Sequence, residues 1–238
     1  RETNMRQEQV GVVIPTLNEA GQIKGLVDHL VAEGFAEIIV ADGGSVDETC
    51  ELVEGTSRVK VVRSRKGRGY QLHHGMQHCS APLILLLHAD TRPPLGAVDL
   101  IRATLARPQV AAGCFRLAFD TDGFRYSVYS WLSQFETPMT TFGDQAFFAR
   151  RSTMRKLDGI PRQPLFEDVE LRRRFKTLGQ FVKVNACVVT SARRFKRVGA
   201  VVGQVRNTLL LLAYNLGVSP EFLYRLYDLS STNEISET

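Results

Sequence analysis

Short apolar runs alternate with amphipathic segments through the first half of the chain. The runs rich in β-forming residues lie at 10–14, 37–41, 59–63, 83–87 and 110–117. The segments predicted to be helical lie between Asn18 and Gly34, at 45–55, from 70 to 79 and at 97–106. In the first of these, apolar residues at 23, 26, 27, 30 and 31 follow the helical period. This alternation predicts an α/β fold with a mainly parallel central sheet, helices on both faces and right-handed crossovers.

The apolar run at 83–87 is the clearest strand. It reads L-I-L-L-L and is followed at once by H-A-D-T-R. A short continuous run of this kind is typical of a central strand that is buried on both faces. Asp90 then lies just past the carboxyl end of the strand, where open α/β sheets bind ligands. With His88 two residues before it, Asp90 either holds a divalent metal or caps a strand-to-helix loop.

The second half of the chain is less regular. Helices are predicted at 124–135, 166–178 and 200–216, and short strands at 181–184 and 187–190. A loop at 141–149 enters a further strand. Residues 1–9 and 229–238 are predicted to be disordered tails, and no internal repeat or linker divides the chain. One domain is therefore expected over 10–228, with a regular half at 10–118 and an irregular half at 119–228.

Net charge and cysteine content indicate which classes of ligand the protein can bind and in which compartment it is expected. The 238 residues carry a net charge of +5, with a pI of about 9.2, which suits phosphate-bearing ligands, anionic membrane surfaces or nucleic acid. Four widely spaced cysteines without a C-x-x-C pair predict buried, reduced thiols and a cytoplasmic location. No apolar signal-peptide region is seen in residues 1–9.

The longest apolar stretch, at 198–218, makes a poor membrane span. It is interrupted by Gln204, Arg206 and Asn207. It is more typical of a core helix or of an interface between two copies of the chain. Peripheral contact with the inner face of a membrane, helped by Arg206, remains an alternative.

Two glycine-containing loops are candidate binding sites. Asp42 ends the second strand and precedes Gly43 and Gly44, so it can accept hydrogen bonds from a base or ribose, or simply form a turn. The loop K-G-R-G at 66–69 lacks the spacing of the Rossmann fingerprint and follows the third strand. Its cations can grip a diphosphate, and a solvated basic turn explains them equally well.

Other clusters of polar residues are less specific. Glu167 and Asp168 open a helix, where the helix dipole favours negative charge, and one of them can also act as a general base. Arg193 and Arg194 follow a strand and either bind a phosphate or face solvent. His74 and His78 have a zinc-compatible spacing, but the glutamate of an H-E-x-x-H motif is missing, which disfavours a zinc site.

Five motifs occur in an order that resembles the family-2 glycosyltransferases. They read V-V-I-P-T-L-N-E at 12–19, V-A-D-G-G-S-V-D-E-T at 40–49, L-L-H-A-D-T at 86–91, G-D-Q at 143–145 and E-D-V-E-L at 167–171. The chain is most similar to a small bacterial branch with H-A-D-T in place of D-x-D, over about residues 10–215. The resemblance implies a GT-A (Rossmann-like) fold with a nucleotide-sugar-binding half and a small acceptor-side region. It also implies inverting sugar transfer from a nucleoside diphosphate sugar, with UDP as the default nucleotide.

The same resemblance assigns roles by position. The nucleotide-sugar site comprises Pro15, Thr16, Glu19, Asp42, Lys66, Gly67, Arg68, Gly69, Ala89, Asp90, Arg193 and Arg194. The catalytic base is Asp168, and the acceptor-side residues are Asp144, Gln145 and Glu167. Asp90 and His88 would hold Mg²⁺ or Mn²⁺. Because His88 replaces the usual carboxylate and imidazole is a poor ligand for Mg²⁺, the site is expected to be weaker or more Mn²⁺-like.

Two other functions fit the sequence less well than sugar transfer. A nucleotidyltransferase would carry a basic glycine-rich loop after the first strand, where this chain reads P-T-L-N-E. A nucleic-acid-binding module would need a basic stripe with stacking aromatic residues, whereas the basic residues here fall in separate loops. The expected partners are therefore a sugar-nucleotide donor and a saccharide, lipid or small-molecule acceptor, without nucleic acid. A homodimer is left open.

Overall fold

An eight-stranded sheet with the strand order β3-β2-β1-β4-β7-β6-β8-β5 runs through the protein. The computed structural model describes residues 8–137, 140–192 and 209–233. The strands are β1 (Val10–Thr16), β2 (Glu37–Asp42), β3 (Val59–Arg63), β4 (Leu83–Leu86), β5 (Thr91–Arg92), β6 (Val110–Phe119), β7 (Phe148–Arg150) and β8 (Gln180–Thr190). The helices are α1 (Ala20–Ala32), α2 (Arg68–His78), α3 (Ala97–Leu105), α4 (Phe124–Leu132), α5 (Arg151–Lys156), α6 (Glu167–Leu178) and α7 (Pro220–Asn233). Residues 209–215 are also helical, and Gly143–Gln145 form a 3₁₀ turn.

Strands β1 to β4 are all parallel to one another. β2 pairs with β1 and β3, and β1 also pairs with β4, all in parallel. The short β7 then runs antiparallel to both β4 and β6, while β6 and β8 pair in parallel. The mainly parallel α/β sheet that the sequence predicts is confirmed, and within it the short strands β7 and β5 run opposite to the others.

Apolar side chains cover both faces of the sheet. Alternate residues of β1 point to opposite faces, so that Val12 packs with α1 and α3 while Val13 packs with α2 and α6. Helices therefore lie on both faces, as predicted. Each fully buried aliphatic side chain contributes roughly 1.5–3 kcal/mol relative to exposure. The polar residues at the ends of the parallel strands therefore lie on a rigid sheet that is covered by helices on both faces.

Helix α2 lies very close to the sheet at Gly75. A Cβ atom on this residue would be 2.4 Å from Cγ1 of Val13 and 3.2 Å from the Cβ of Ala41. Any larger residue would push the helix away from β1 and β2. This close approach matters for the site, because the first turn of α2 lies over the carboxyl ends of the same two strands.

Three predictions of secondary structure are wrong. The segment predicted as a helix at 45–55 forms successive turns, and its capping residue Ser45 accepts the Asn18 N–H at 2.9 Å instead of an N–H of that segment. The strands predicted at 181–184 and 187–190 are the single strand β8, which pairs with β6 across register shifts. Helix α7 continues to Asn233, into the segment 229–238 predicted to be a disordered tail. Strand β5 and helix α5 were not predicted.

The predictions about the chain ends and about partners stay predictions. Residues 1–7, 193–208 and 234–238 lie outside the described residues, and so does the first part of the helix predicted at 200–216. None of the helices in the described ranges is both long and apolar enough to span a bilayer. Leu209, Leu212 and Leu216 are exposed, and contact with a membrane or a second copy stays a prediction.

Three of the four cysteines are buried, as predicted, and Cys187 is half-buried. Burial raises the pKa of the Cys79 and Cys114 thiols to about 12, so both are protonated at neutral pH. These thiols are therefore small apolar core groups.

Candidate active site

The carboxyl ends of the parallel strands meet along one edge of the sheet. Thr16 ends β1, Asp42 ends β2, and His88, Ala89 and Asp90 follow β4. The strand pairing places Thr16 directly beside Asp42. Ligands of open α/β sheets bind in the crevice outside this edge. The motifs that lie far apart in the sequence therefore face the same crevice.

Asn18 joins the loop after β1 to the loop after β2. Its backbone N–H donates to Ser45 Oγ at 2.9 Å, and its side-chain oxygen accepts from the Val46 N–H at 2.9 Å. Asn18 itself has φ of 55°, a left-handed conformation that asparagine tolerates better than most residues. The two loops are thus held against each other by a reciprocal pair of hydrogen bonds.

The first turn of α1 is capped from the neighbouring loop. The Glu19 N–H donates to Thr49 Oγ1 at 2.8 Å, and the Ala20 N–H donates to Asp47 at 3.2 Å. The N-cap Glu19 makes no capping bond with its own side chain. Since a helix begins with unsatisfied N–H groups, the S-V-D-E-T motif stabilises a helix other than the one predicted from it.

The carboxylate of Asp42 is fully buried and engaged within its own loop. It accepts the backbone N–H of Gly44 at 3.0 Å, the N–H of Ser45 at 3.1 Å and the Ser45 hydroxyl. The Arg63 guanidinium lies 3.9 Å away and is mostly exposed. Asp42 therefore shapes the loop, and its contact with a nucleotide base or ribose stays a prediction.

The basic loop is brought to the E-D motif. Arg68 Nε lies 3.0 Å from Oε1 of Glu167, whose side chain is almost completely buried. This contact is possible because α2 begins directly against the segment before α6. A Cβ on Gly69 would be 2.4 Å from the carbonyl oxygens of Pro161 and Gln163. The loop at 66–69, predicted to bind the diphosphate, therefore lies directly beside the E-D motif at 167–168.

Asp168 is held at a small cavity. Its Oδ2 accepts the Gly143 N–H at 2.6 Å, and Oδ1 accepts the Val169 N–H at 2.8 Å. The cavity is lined by His88, Gly143, Glu167 and Asp168 together with apolar Leu72, Leu86, Phe147 and Leu171. The structure therefore brings His88, G-D-Q and E-D together, as the motif order implies for a common site.

Asp90 is half-buried and its loop is anchored through the backbone. The Ser191 N–H donates to the Asp90 carbonyl at 3.0 Å, while Thr91 Oγ1 donates to the Asp90 carboxylate at 3.2 Å. His88 lines the cavity of Asp168, whereas Asp90 lies outside the set of described residues that line it. The charge of Asp90 nevertheless contributes to the raised pKa of Asp144.

Strained backbone flanks the cavity. Phe166, directly before Glu167, has φ of 60°, and Ala146, directly after Gln145, has φ of 53°. Left-handed conformations cost non-glycine residues free energy and cluster at functional sites. The Phe166 ring also stacks on Tyr214, with centroids 5.1 Å apart, so the segment at 209–217 supports this turn.

Gln145 and Lys183 hold the segment at 133–145, which carries Asp144, through hydrogen bonds to its backbone carbonyls. The buried Gln145 donates its amide hydrogen to the Thr140 carbonyl at 2.6 Å. Lys183 Nζ donates to the carbonyls of Ser133 and Phe135 at 2.7 and 2.8 Å. Burial lowers the pKa of the Lys183 ammonium, against neighbouring acidic groups that raise it. Gln145 is thus placed as a support for the loop that carries Asp144.

Two carboxyl groups beside Asp168, the buried Glu167 and the half-buried Asp144, have raised pKa values. Burial raises the pKa of Glu167 to about 7, although Arg68 opposes the shift. Burial and the Asp168 charge raise the pKa of Asp144 to about 6. Among the described residues, Oε2 of Glu167 and Oδ1 of Asp144 find no hydrogen-bond partner. Buried acceptors of this kind are normally paired, so both suit a hydroxyl hydrogen of a ligand.

Asp144→Asn is expected to stabilise the protein at high pH. A carboxyl whose pKa is raised in the folded state contributes stability that is present below its unfolded pKa and lost as pH rises through the folded value. For the Asp144 carboxyl that window runs from its ordinary pKa of 3.8 to a folded-state pKa of about 6. The variant should gain about 2 kcal/mol over wild type at pH 8, and the gain should vanish near pH 4.

Urea unfolding at several pH values measures this difference. Asp158→Asn is the matched control, because Asp158 is exposed and pairs only with Arg162, at 3.5 Å, among the ion pairs of the described chain. A gain for Asp144→Asn that is the same at pH 4 and pH 8 would refute the role of its ionisation.

Gln71 is the main residue of the site that sequence reasoning missed. It is 4% exposed and lies on the side of α2 that faces the sheet, one turn before Gly75. A polar residue on the apolar face of an amphipathic helix was the available signal. Arg193 and Arg194, which were assigned to the nucleotide-sugar site, lie outside the described residues.

The residues present suit a metal that binds together with a phosphate-bearing ligand. The described residues contain no group of three or more histidine, cysteine or acidic side chains that could hold a metal alone. Asp90 offers one half-buried carboxylate, a hard oxygen ligand. Mg²⁺ is commonly held by one or two carboxylates plus substrate phosphates and water, so this donor set fits.

Comparison with known sequences gives a family match that covers the regular half and extends into the irregular half. The model of "Glycosyl transferase family 2" matches residues 11–159, more than half of the chain. The curated glycosyltransferase AglJ of Haloferax volcanii is 38% identical over 84 residues. That match covers 35% of this chain and 28% of AglJ, so the chain spans well under half of the relative's length.

Solved structures share the architecture. The mannosyltransferase PcManGT from Pyrobaculum calidifontis, in complex with GDP-Man and Mn²⁺, has a TM-score of 0.67 at 18% identity, over 90% of this chain and 66% of that one. Glucosyl-3-phosphoglycerate synthase from Mycobacterium tuberculosis, in complex with Mn²⁺, UDP and glucosyl-3-phosphoglycerate, has a TM-score of 0.60 at 23% identity, over 85% and 78%. These similarities confirm the GT-A fold.

Proposed function

Since the chain belongs to glycosyltransferase family 2, we propose that it transfers a sugar from a nucleoside diphosphate sugar to a hydroxyl acceptor with inversion at the anomeric carbon. The observation that carries this proposal is the placement of Asp168. Its carboxylate is fixed by the Gly143 N–H at a cavity lined also by His88 and Glu167. A carboxylate between the basic loop and the loop of Asp90 is positioned to act as a base.

The donor would lie along the carboxyl edge of the sheet. Its base and ribose would contact the braced loops that carry Pro15, Thr16, Glu19 and Asp42, and its diphosphate would lie against the loop at 66–69. Arg68 supplies a cation there, already held near the E-D motif by Glu167. The solved neighbours bind GDP-Man or UDP, so both nucleotides are candidates and UDP remains the first to test.

Asp90 would hold the metal, with Ala89 beside it in the same loop. When bound, Mg²⁺ or Mn²⁺ would neutralise the charge that gathers on the departing diphosphate. His88 lies where the loop of Asp90 meets the cavity of Asp168. A nitrogen ligand from that position would favour Mn²⁺ over Mg²⁺. Arg193 and Arg194 are retained in the proposal as further cations for the leaving group.

In the transfer step the acceptor oxygen would attack the anomeric carbon. The bond from that carbon to the diphosphate oxygen breaks with the electron pair going to the leaving group, and the hydroxyl proton passes to Asp168. Because attack and departure occur on opposite faces of the sugar, the configuration inverts. The hydrogen bonds from Gly143 and Val169 fix the orientation of the Asp168 carboxylate for this proton transfer.

The acceptor side supplies hydrogen-bond acceptors. The unpartnered oxygens of Asp144 and Glu167 are buried beside Asp168 and would accept hydrogens from other hydroxyl groups of the bound acceptor. This satisfies groups whose burial is otherwise costly. Gln145 contributes indirectly, because it secures the loop that carries Asp144.

Thermal-shift screening of UDP- and GDP-sugars, each with and without Mn²⁺, tests the proposal. A ligand at a hundred times its Kd should stabilise the folded protein by about 2.7 kcal/mol, a rise of several degrees in Tm. At least one sugar nucleotide should produce this shift with Mn²⁺ and a smaller one without it. Stabilisation by a nucleoside triphosphate with a sugar phosphate, but by no sugar nucleotide, would instead favour a nucleotidyltransferase.

A further inference from the structure

The side chain of Gln71 joins the ends of two neighbouring strands. Its Nε2 donates to the carbonyl of Thr16 at 2.7 Å and to the carbonyl of Ala41 at 2.8 Å. The amide is 4% exposed, so these bonds form in a buried, weakly screened environment. Both amide hydrogens are therefore used, one on β1 and one on β2.

The same amide also reaches the basic loop. The Gly67 N–H donates to the side-chain Oε1 of Gln71 at 3.3 Å, and separately the backbone N–H of Gln71 donates to the Gly67 carbonyl at 3.0 Å. One side chain thus connects three loops that carry residues of the proposed donor site. Those residues are Thr16 at the end of β1, Asp42 at the end of β2 and Arg68 directly after Gly67.

Gln71 also fits against the glycine pair that follows Asp42. A Cβ on Gly43 would be 3.0 Å from Cδ and Nε2 of Gln71, and the Gly43 N–H donates to the Thr16 carbonyl at 2.9 Å. The Thr16 carbonyl therefore accepts from both Gly43 and Gln71. The loop after β2 cannot shift toward α2 without displacing the Gln71 amide.

A glutamine at this place is not required for packing alone. Its neighbours Leu72 and Met76 and the close contact of Gly75 already hold α2 on the sheet. An apolar residue of the same volume would fill the space without bringing polar atoms that need partners. The hydrogen-bonding pattern, rather than the volume, is what distinguishes Gln71.

We infer that Gln71 is a positioning residue that sets the relative placement of the three donor-binding loops. This inference rests on the proposed function. Gln71 acts through the loops and not through contact with the reacting atoms. Because a displacement of about 1 Å in such loops is enough to weaken recognition severely, loss of these bonds should appear first in donor affinity.

Calorimetry with UDP and with GDP, each in the presence of Mn²⁺, tests the inference on three variants. Gln71→Met keeps the length and approximate volume but removes all three side-chain bonds. Gln71→Glu keeps an acceptor for the Gly67 N–H and removes both donors. Gln77→Met is the matched control, because Gln77 is exposed on the same helix.

The expected Kd of the nucleotide that wild type binds rises roughly 10- to 100-fold in Gln71→Met and by at least as much in Gln71→Glu, whose buried carboxylate would face the carbonyl oxygens of Thr16 and Ala41. Gln77→Met should stay within about twofold. In a transfer assay the donor KM should rise by the same factor as the Kd, while kcat at saturating donor changes by less than about threefold.

Three results separate the possibilities. A lowered Tm with unchanged nucleotide affinity in both Gln71 variants would show a purely structural role and overturn the inference. A loss confined to kcat would also overturn it. Absence of binding of either nucleotide by the wild-type protein would contradict the proposed function, on which the role of Gln71 rests. Should Gln71→Met not fold, Gln71→Glu alone decides, because it alters charge and hydrogen bonding at constant size.

Discussion

Asp168→Asn is expected to lower the turnover number by about 10³-fold while leaving donor affinity within about threefold of wild type. Asparagine keeps the size of the side chain but cannot take a proton from the acceptor hydroxyl at neutral pH. The donor is proposed to contact other residues, so its binding should persist. Release of the nucleoside diphosphate measures turnover, and calorimetry measures donor affinity.

The structure defines the controls for this experiment. Asp168 also accepts hydrogen bonds from Gly143 and Val169, and asparagine can replace only one of these two acceptor oxygens. The Tm of the variant must therefore be measured beside its activity. Asp158→Asn makes the same chemical change at an exposed position and should keep full turnover. Turnover within tenfold of wild type in a folded Asp168→Asn protein would remove Asp168 as the base.

Asp90→Ala is expected to weaken Mn²⁺-dependent donor binding by about 10- to 100-fold and to leave the weaker, metal-free binding unchanged. The variant loses the one carboxylate that follows β4. The loop itself should survive, because the Ser191 N–H is bonded to the Asp90 backbone and Thr91 Oγ1 is also bonded to Thr190. Calorimetry at increasing Mn²⁺ concentrations separates the two kinds of binding.

Asp99→Ala is the matched control for Asp90→Ala. Asp99 lies on α3 with its carboxylate largely exposed, 3.1 Å from Arg102. Exposed pairs of this kind contribute little, so stability and metal dependence should both match wild type. An Asp90→Ala protein whose affinity still rises with Mn²⁺ as steeply as that of wild type would contradict the metal assignment.

Much of the fold could be predicted from the pattern of apolar residues. Strands β1 to β4 are short apolar runs, with α1 between β1 and β2 and α2 between β3 and β4, and a parallel sheet follows from that rhythm. The position of Asp90 at the ligand-binding edge follows from the five apolar residues before it. These features depend on burial, which leaves a direct trace in the sequence.

Local motifs were misleading where tertiary contacts compete for the same atoms. Ser45 and Glu48 have the spacing of a capping box, but the Ser45 oxygen accepts the Asn18 N–H and no helix follows. The Asp47 carboxylate and the Thr49 hydroxyl cap α1 instead. A serine cap accepts an N–H through its side-chain oxygen, and the sequence does not reveal which of several N–H groups reaches that oxygen.

The contacts that assemble the site could not be read from spacing at all. Arg68 and Glu167 lie in distant parts of the chain and meet only because Gly69 lets α2 begin against residues 161–163. The sequence shows Gln71 only as a polar residue on the apolar face of a helix, and its role follows from carbonyl groups on two strands. Such contacts depend on backbone geometry, whereas the motifs record only the residues that take part.

The fate of the donor phosphates is the most direct test of sugar transfer. Phosphorus NMR of a stabilising sugar nucleotide, incubated with Mn²⁺ and a panel of hydroxyl acceptors including water, shows which bond breaks. We predict that free nucleoside diphosphate appears and that the proton spectrum shows a product of inverted anomeric configuration. Formation of a sugar 1-phosphate with a nucleoside monophosphate, or a product of retained configuration, would contradict the account.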